Sequence, residues 1–181
     1  MIFIVGGKGL TGSACVRFLQ KNKLEYEIIQ KENKGYFFGK SCDVLIFANG
    51  NAKKYRANQE PFLDFYESIS SVVEYVHKIK YKKFIFLSTV DVYDQKESEK
   101  TTNEDISINE EKLDTYGFHK LFAEKYVKKY CNNFLILRLG GLVGKGLQKN
   151  PVFYYIKTDS KVTISPKSEM NFIHTDFVAE I

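Results

Sequence analysis

Apolar residues in this chain fall into short runs separated by longer amphipathic stretches. Ile2-Phe3-Ile4-Val5 leads straight into Gly6-Gly7, which reads as a short buried strand ended by a turn. Over residues 11–21, Ala14, Val16, Phe18 and Leu19 are interleaved with polar residues, and a helix is expected there. Residues 26–29 and 44–48 predict two more strands, the second closed by Asn49-Gly50. Pro61 opens a long helix reaching about residue 80, with Phe62, Phe65, Ile69, Val72, Val73 and Val76 at helical spacing. A strand over 84–87, a polar segment over 94–109, a helix over 115–130 and a strand over 134–139 follow. There is no internal repeat. Short apolar strands alternating with helices predict an α/β fold: a doubly wound parallel sheet with helices on both faces. The polar segment 94–109 has the length of a flap over a site rather than of a linker.

Gly6-Gly7-Lys8-Gly9-Leu10-Thr11-Gly12 lies between the first strand and the first helix. Glycines there permit a tight turn and a close backbone approach to a pyrophosphate, whose charge is met by free N–H groups at the helix N-terminus. In this strand–turn–helix setting the pattern predicts a Rossmann-like dinucleotide site. An NAD enzyme places an acid about 18–20 residues past the last glycine to hold the ribose 2′-hydroxyl. Gln30 and Lys31 stand there instead, with Lys8 inside the glycine loop and Glu32 out of register. Cations without an acid favour NADP, with NAD as the alternative. The candidate cofactor residues are Gly6, Lys8, Gly9, Leu10, Thr11, Gly12, Lys31, Ala48 and Lys120.

Tyr116 and Lys120 form a Y-x-x-x-K pair, and residues four apart on a helix share a face. An ammonium beside a phenol favours phenolate and makes the tyrosine a usable acid or base near neutrality. In a chain this rich in Tyr and Lys such pairs also arise by chance, and Tyr36 and Lys40 form a second one. Context separates the two. Ahead of Tyr116, the strand over 84–87 runs into Ser88-Thr89-Val90-Asp91-Val92-Tyr93, delivering hydroxyls to the sheet edge where ligands bind.

GGKGLTG, STVDVYD, YGFHK, then Arg138-Leu139-Gly140-Gly141-Leu142-Val143-Gly144, then Asn171-Phe172-Ile173-His174-Thr175-Asp176 occur in this order. Together they resemble the extended short-chain dehydrogenase/reductases, the NAD-dependent epimerase/dehydratase family. The resemblance implies that Thr89 bonds the substrate oxygen, with Ser88 as the fallback if the strand slips by one. It implies that Tyr116 moves the proton and that Lys120 holds the nicotinamide ribose and tunes Tyr116. It further implies hydride transfer on a hydroxyl or carbonyl of a sugar nucleotide or related small molecule, and a homodimer built on the two long helices, about 61–80 and 115–130. Residues 1–150 would carry cofactor and catalysis, and 151–181 would begin a substrate-side lobe that the family usually extends well beyond this point.

Several positions depart from the family pattern. Only residues 31–43 separate the second strand from the next, so one sheet edge should be shortened, with Tyr36-Phe37-Phe38 a vestigial strand. Cys42 and Asp43 are adenine-side candidates by position alone. Val90 and Asp91 replace the Asp-Glu pair of the dehydratases, which ranks dehydration below epimerisation or reduction; Asp91 serves either alone or as a turn cap. Gly141 replaces an asparagine that meets the diphosphate. A non-catalytic NAD(P)-binding sensor or scaffold protein is the alternative reading.

Composition narrows the picture further. The net charge of +5 comes from lysines that outnumber arginines twenty-four to three and are dispersed along the chain. Nucleic-acid binding needs a gathered basic face with Arg or aromatic readers, so no nucleic-acid partner is expected. No run of 18 apolar residues is present and the N-terminus lacks a basic leader, so neither a membrane span nor a signal peptide is expected. Cys15, Cys42 and Cys131 are odd in number and far apart, which predicts reduced thiols, no metal site and a cytoplasmic setting. His77, His119 and His174 each read as structural.

Overall fold

The strands carry apolar side chains on both faces, so both faces of the sheet have to be covered. In a computed structural model that describes residues 1–50, 54–147, 151–159, 161, 165 and 167–181, they are. Strands β1 (Ile2–Val5), β2 (Tyr26–Ile29), β3 (Ser41–Phe47), β4 (Lys80–Thr89) and β5 (Phe134–Leu139) form one parallel sheet in the order β2-β1-β3-β4-β5. Alternate residues face opposite ways. Phe3, Val5, Leu45, Phe47, Phe84 and Phe86 pack on one face against Val72, Tyr75, Val76, Ala123 and Val127. Ile4 and Ile46 pack on the other against Cys15 and Leu19 of α1 (Leu10–Lys21). This is the Rossmann-like architecture expected from the sequence.

The shortened edge takes a different form from the one expected. Residues 36–38 add no strand; Lys34–Phe37 is a four-residue helix, α2, whose Phe37 is buried in the core beside Phe3. Asn33 closes the turn before it, its side chain accepting from Gln30 N at 2.7 Å and donating to Ile28 O at 3.1 Å. That arrangement returns the chain to the sheet too quickly for another strand to pair. Cys42 is buried in the core, and Asp43 pairs at the opposite end of the strands with the N-terminal amine and Lys82. Neither is near the glycine loop, so position alone misplaced both.

The segment expected as one regular helix is broken in phase. After α3 (Lys54–Gln59), Pro61 starts α4 (Pro61–Phe65), a π turn spans Tyr66–Ser70, and α5 (Ser71–Lys78) completes the run. A π turn holds an extra residue and rotates the apolar stripe. Ile69, Val72 and Val76 are therefore in the core, while Phe62 and Phe65 are 86% and 44% exposed and Asp64 is buried.

α6 (Thr115–Tyr130) is capped by Asp114, whose carboxylate accepts from Gly117 N at 2.9 Å. The polar segment is anchored rather than loose, because Ile106, Ile108 and Leu113 pack on Val92, Tyr93 and Leu121. Beyond β5 come β6 (Gly141–Val143), α7 (Pro151–Thr158), β7 (Phe172–His174) paired to β6, and α8 (Thr175–Glu180). α8 lies against α1, joined by Arg17 and Asp176 at 2.5 Å. Among the described residues no helix is long and apolar enough to cross a membrane.

Phe47 is fully buried and its ring contacts those of Tyr75, Phe84 and Phe86. Phe47→Ala is expected to cost about 3–5 kcal/mol in a denaturant titration. A loss below about 1 kcal/mol would show that this aromatic cluster does not hold the sheet to α5.

Candidate functional site

From β1 the chain crosses to β2 on one side, whereas β3 lies on the other, so a crevice opens at their C-terminal ends. Gly6 and Ala48 line it. Gly6 has φ +81°, and a Cβ there would lie 3.0 Å from Ala48 O. Gly9 N donates to Gly6 O at 2.9 Å, and a Cβ on Gly12 would lie 2.3 Å from that same oxygen. Position 12 therefore admits only glycine if α1 is to begin this close to the turn. Gly9 precedes α1 with no side-chain cap and no acid in the first turn, leaving the N–H groups of Leu10, Thr11 and Gly12 without intrahelical partners. Uncapped donors at a positive helix end fit a pyrophosphate.

On the ribose side Lys31 is exposed, as is Lys8 in the glycine loop, and Glu32 is exposed as well. Gln30 Nε2 is buried with no hydrogen-bond partner among the described residues. A buried donor awaiting an acceptor suits the oxygens of a ribose or its 2′-phosphate better than it suits empty space.

At the end of β4 the two adjacent hydroxyls separate. Ser88 is buried and donates to Glu124 at 2.5 Å, which commits it to the interior. Thr89 caps the short 3₁₀ turn Val90–Val92, accepting from Asp91 N at 3.1 Å, and its hydroxyl lies near enough to the Tyr116 phenol to favour the ionised form. Thr89, not the fallback Ser88, meets the phenol. α6 approaches closely enough for this because residue 117 is glycine, since a Cβ there would lie 2.3 Å from Asp91 O.

Lys120 lies one turn beyond Tyr116 and is 5% exposed, its Nζ 5.3 Å from the centroid of the Phe86 ring. The loop after β3 reaches it, for a Cβ on Gly50 would lie 3.2 Å from Nζ. Burial lowers the ammonium pKa to about 8, with Asp64 and Glu124 partly offsetting it. No hydrogen-bond partner for Nζ is present among the described residues.

The expected lowering of the Tyr116 phenol by Lys120 is absent in this state. Burial and the Asp91 carboxylate hold the phenol above its ordinary value, and the neighbouring Thr89 opposes them. The second pair has no such setting: Tyr36 is 67% exposed, with Lys40 lying over its ring.

The departures from the family pattern have physical causes. Burial disfavours the charge on Asp91, but Lys96 and Lys54 outweigh it and hold the carboxylate ionised. Lys54 also reaches Asp114 at 2.7 Å, so Asp91 belongs to a charge cluster at the mouth of the site. A Cβ on Gly141 would strike the Phe172 ring at 2.7 Å, so the packing of β6 on β7 leaves no room for asparagine.

Two residues of the site, Glu124 and Asp64, carried no sequence signal. Glu124 is buried and gripped by Arg138 through Nε and Nη2, the latter at 2.7 Å. Asp64 is buried against His119, which the sequence marked only as structural. His77 bonds Tyr126 at the surface, and His174 caps α8. A groove of about 1180 Å³ opens beside Val90 along the free edge of β5, lined also by Tyr93, Arg138, Met170 and Phe172.

A search of curated protein sequences returns no match. Among solved structures, the chain is similar to UDP-N-acetylglucosamine 4-epimerase from Methanobrevibacter ruminantium M1 in complex with UDP-N-acetylmuramic acid. That likeness has a TM-score of 0.79 at 16% identity and covers 99% of this chain and 70% of that one. For dTDP-4-dehydrorhamnose reductase from Bacillus anthracis str. Ames in complex with NADP, the values are 0.71, 18%, 86% and 58%. For UDP-glucose 4-epimerase from Thermus thermophilus in complex with NAD, they are 0.71, 19%, 99% and 72%. At these identities the likeness establishes the fold. The family is established by sequence: the pattern of the NAD dependent epimerase/dehydratase family matches residues 2–157, and the chain belongs to that family.

Proposed function

We propose that the chain is an NAD(P)-dependent oxidoreductase or epimerase that acts by hydride transfer on a hydroxyl or carbonyl of a sugar nucleotide or related small molecule. The observation that carries this reading is a buried Tyr116 brought beside Thr89 at the end of β4, one turn from a buried Lys120 that the loop after β3 reaches. A module that only bound nucleotide would have no use for a buried phenol beside a buried ammonium.

The nicotinamide, when bound, accepts or returns the hydride. Gly6, Gly9, Leu10, Thr11 and Gly12 would hold the pyrophosphate, Lys8, Gln30 and Lys31 the adenosine ribose, and Ala48 and Lys120 the nicotinamide side. Thr89 fixes the substrate oxygen and Tyr116 gives or takes its proton. Because the phenol rests protonated, it is set to donate to a carbonyl oxygen, the direction of reduction. The buried ammonium of Lys120 then favours the phenolate left behind. Asp91, held ionised by two lysines, is a poor proton donor, so dehydration ranks below reduction and epimerisation.

NADP is favoured over NAD by Lys31, Lys8 and the absence of an acid in register, and relatives of both kinds exist. The substrate would enter from the groove beside Val90, with residues 1–150 as the cofactor and catalytic unit and 151–181 as the start of a substrate-side lobe. Phe62 and Tyr66 with Phe118 and Phe122 of α6 are exposed, which supports a homodimer through these helices. Three free buried thiols suit the reducing cytoplasm.

Fluorescence titration with NADPH and NADH, followed by a reductase assay over a carbonyl panel, tests the reading. Binding with turnover that falls by about 100-fold or more in Tyr116→Phe is expected. Binding without turnover would leave the sensor or scaffold alternative standing, and binding of neither nucleotide would end both. For cofactor choice, Lys31→Asp should weaken NADPH relative to NADH; an unmoved ratio removes the preference for NADP.

The buried Lys120 also predicts a trade between stability and activity. An unfolded lysine stays protonated to about pH 10.5, whereas folded Lys120 does so only to about 8. Between those values the unfolded chain binds more protons, so wild-type stability rises with pH. At pH 7 the cost is on the order of 3 kcal/mol. Lys120→Met should therefore raise Tm by several degrees at pH 7, with the gain shrinking toward pH 10 and turnover lost. A gain that stays constant with pH would mean that the charge is not the cause.

A further inference from the structure

The polar segment after Tyr93 is held at its two ends by different means. Its later half is seated on apolar contacts, with Ile106, Ile108 and Leu113 on Val92, Tyr93 and Leu121. Asn109 N donates to the Asp94 carboxylate at 3.3 Å, which closes the base of the excursion. Residues 95–100 and 103–105 are exposed and add nothing to the core. Most hydrogen bonds made there stay within the segment: the Thr101 and Thr102 hydroxyls donate to Ser98 O, and Asp105 N donates to Asn103. Over 95–105 a single side chain among the described residues, Lys96, forms a hydrogen bond or ion pair with the rest of the molecule.

The partner of Lys96 is Asp91, whose own N–H donates to Thr89 and whose carbonyl oxygen lies against Gly117. Lys54 reaches the same carboxylate at 3.3 Å and Asp114, the cap of α6, at 2.7 Å. One carboxylate therefore joins α3, the polar segment and the start of α6 beside Thr89. Two lysines meet two carboxylates, so the cluster has no surplus charge with which to hold an anionic ligand. The Lys54 side is tied twice. The Lys96 side is one pair between a lysine 41% exposed and a carboxylate 26% exposed. Exposed pairs favour the bonded arrangement by roughly 2- to 5-fold, which suits a contact that is made and broken repeatedly.

The segment borders the groove beside Val90. Lys96, Thr102 and Glu104 line that groove together with Arg138, Met170 and Phe172. A second cavity of about 260 Å³ lies between residues 104–110 and Leu121, Glu124 and Arg138, so the segment has room to move on its seat.

We propose that residues 95–105 are a lid on the groove beside Val90 and that Lys96, seated on Asp91, is the positioning residue that latches it. Lys54 keeps Asp91 in place when Lys96 leaves. This extends the reading of the groove as the substrate's entry and rests on it, but the latch can be measured without cofactor or substrate.

The test is limited digestion of the full chain with a glutamate-specific protease, comparing the cuts after Glu99 and Glu104 with the cut after Glu25, outside the segment. When opening is fast relative to cleavage, the rate follows the open population. Lys96→Met should raise cutting at Glu99 and Glu104 about 2- to 5-fold with Glu25 unchanged, and Lys96→Arg should keep wild-type protection. In about 1 M salt, where the screening length is about 3 Å, the wild type should approach Lys96→Met. Asp91→Asn should match Lys96→Met, and the double variant should be cut no faster than either single one. An unchanged rate in Lys96→Met overturns the proposal, as does an equal rise in Lys96→Arg or an additive rise in the double variant. An equal rise at Glu25 also overturns it, because the pair would then hold the whole fold. With a carbonyl substrate, Lys96→Met should raise kcat and KM together, since a lid that opens more readily releases product sooner and retains substrate less. Both constants unmoved would mean a tether that gates nothing, which overturns the lid. A protease response in a chain without turnover would sustain the latch and reject the enzymatic reading, and turnover without a response would do the reverse.

Discussion

A parallel sheet with apolar side chains on both faces has no stable form until helices cover both, and this constraint organises the whole chain. Every crossover must return the chain to the same end of the sheet, so all strands finish at one edge. Gly6, Ala48 and Gly140 follow β1, β3 and β5 at that edge, and Thr89 ends β4 there. The site is assembled there because it is where the covered sheet lets the backbone turn. The aromatic layer of Phe47, Phe84 and Phe86 fills the face beneath α5 and α6, and Phe86 then serves as the floor under the Lys120 ammonium. Core packing and site geometry share a residue.

What holds the site together at close range is missing side chains rather than added bonds. Gly12 lets α1 start against Gly6, Gly117 lets α6 start against Asp91, and Gly141 lets β6 lie on Phe172. The first approach makes the turn proposed to cradle phosphate, and the second brings Tyr116 to Thr89. The third removes a side chain that the family pattern would use, so the same device that builds the cofactor side narrows the chemistry available on the substrate side.

Much of this was legible in the sequence because backbone requirements leave plain marks. The five strands, α1, α6 and the glycine loop all follow from apolar runs and punctuating glycines, whose causes are local. The rest escaped for three other reasons. Phe62 and Phe65 matched the helical stripe, but a π turn moved Asp64 inward instead, and an inserted turn has no period to detect. Residues 36–38 had the composition of a strand, yet the turn closed by Asn33 and the burial of Phe37 against Phe3 made a helical turn cheaper than an unpaired edge. Glu124 and its pairing with Arg138 were invisible for a third reason, since a buried ion pair between a helix and a strand is a fact of tertiary contact alone.

The electrostatics of α6 give the proposed catalytic residues a charge state different from the one expected. The helix supplies the phenol, the ammonium and one carboxylate partner within nine residues, from Tyr116 to Glu124. In water the ammonium would be fully charged and the phenol would feel it. Buried together, each is pushed toward its neutral form, the phenol upward and the ammonium downward. The surrounding carboxylates then act in opposite senses on the two: Asp64 helps the ammonium keep its charge, and the same charge makes phenolate harder to form. A site with this balance rests as neutral phenol over a marginally charged lysine. It gives up a proton only when some further positive charge or hydrogen bond arrives at the phenol oxygen, and in the proposed reaction a substrate carbonyl beside Thr89 would receive that proton.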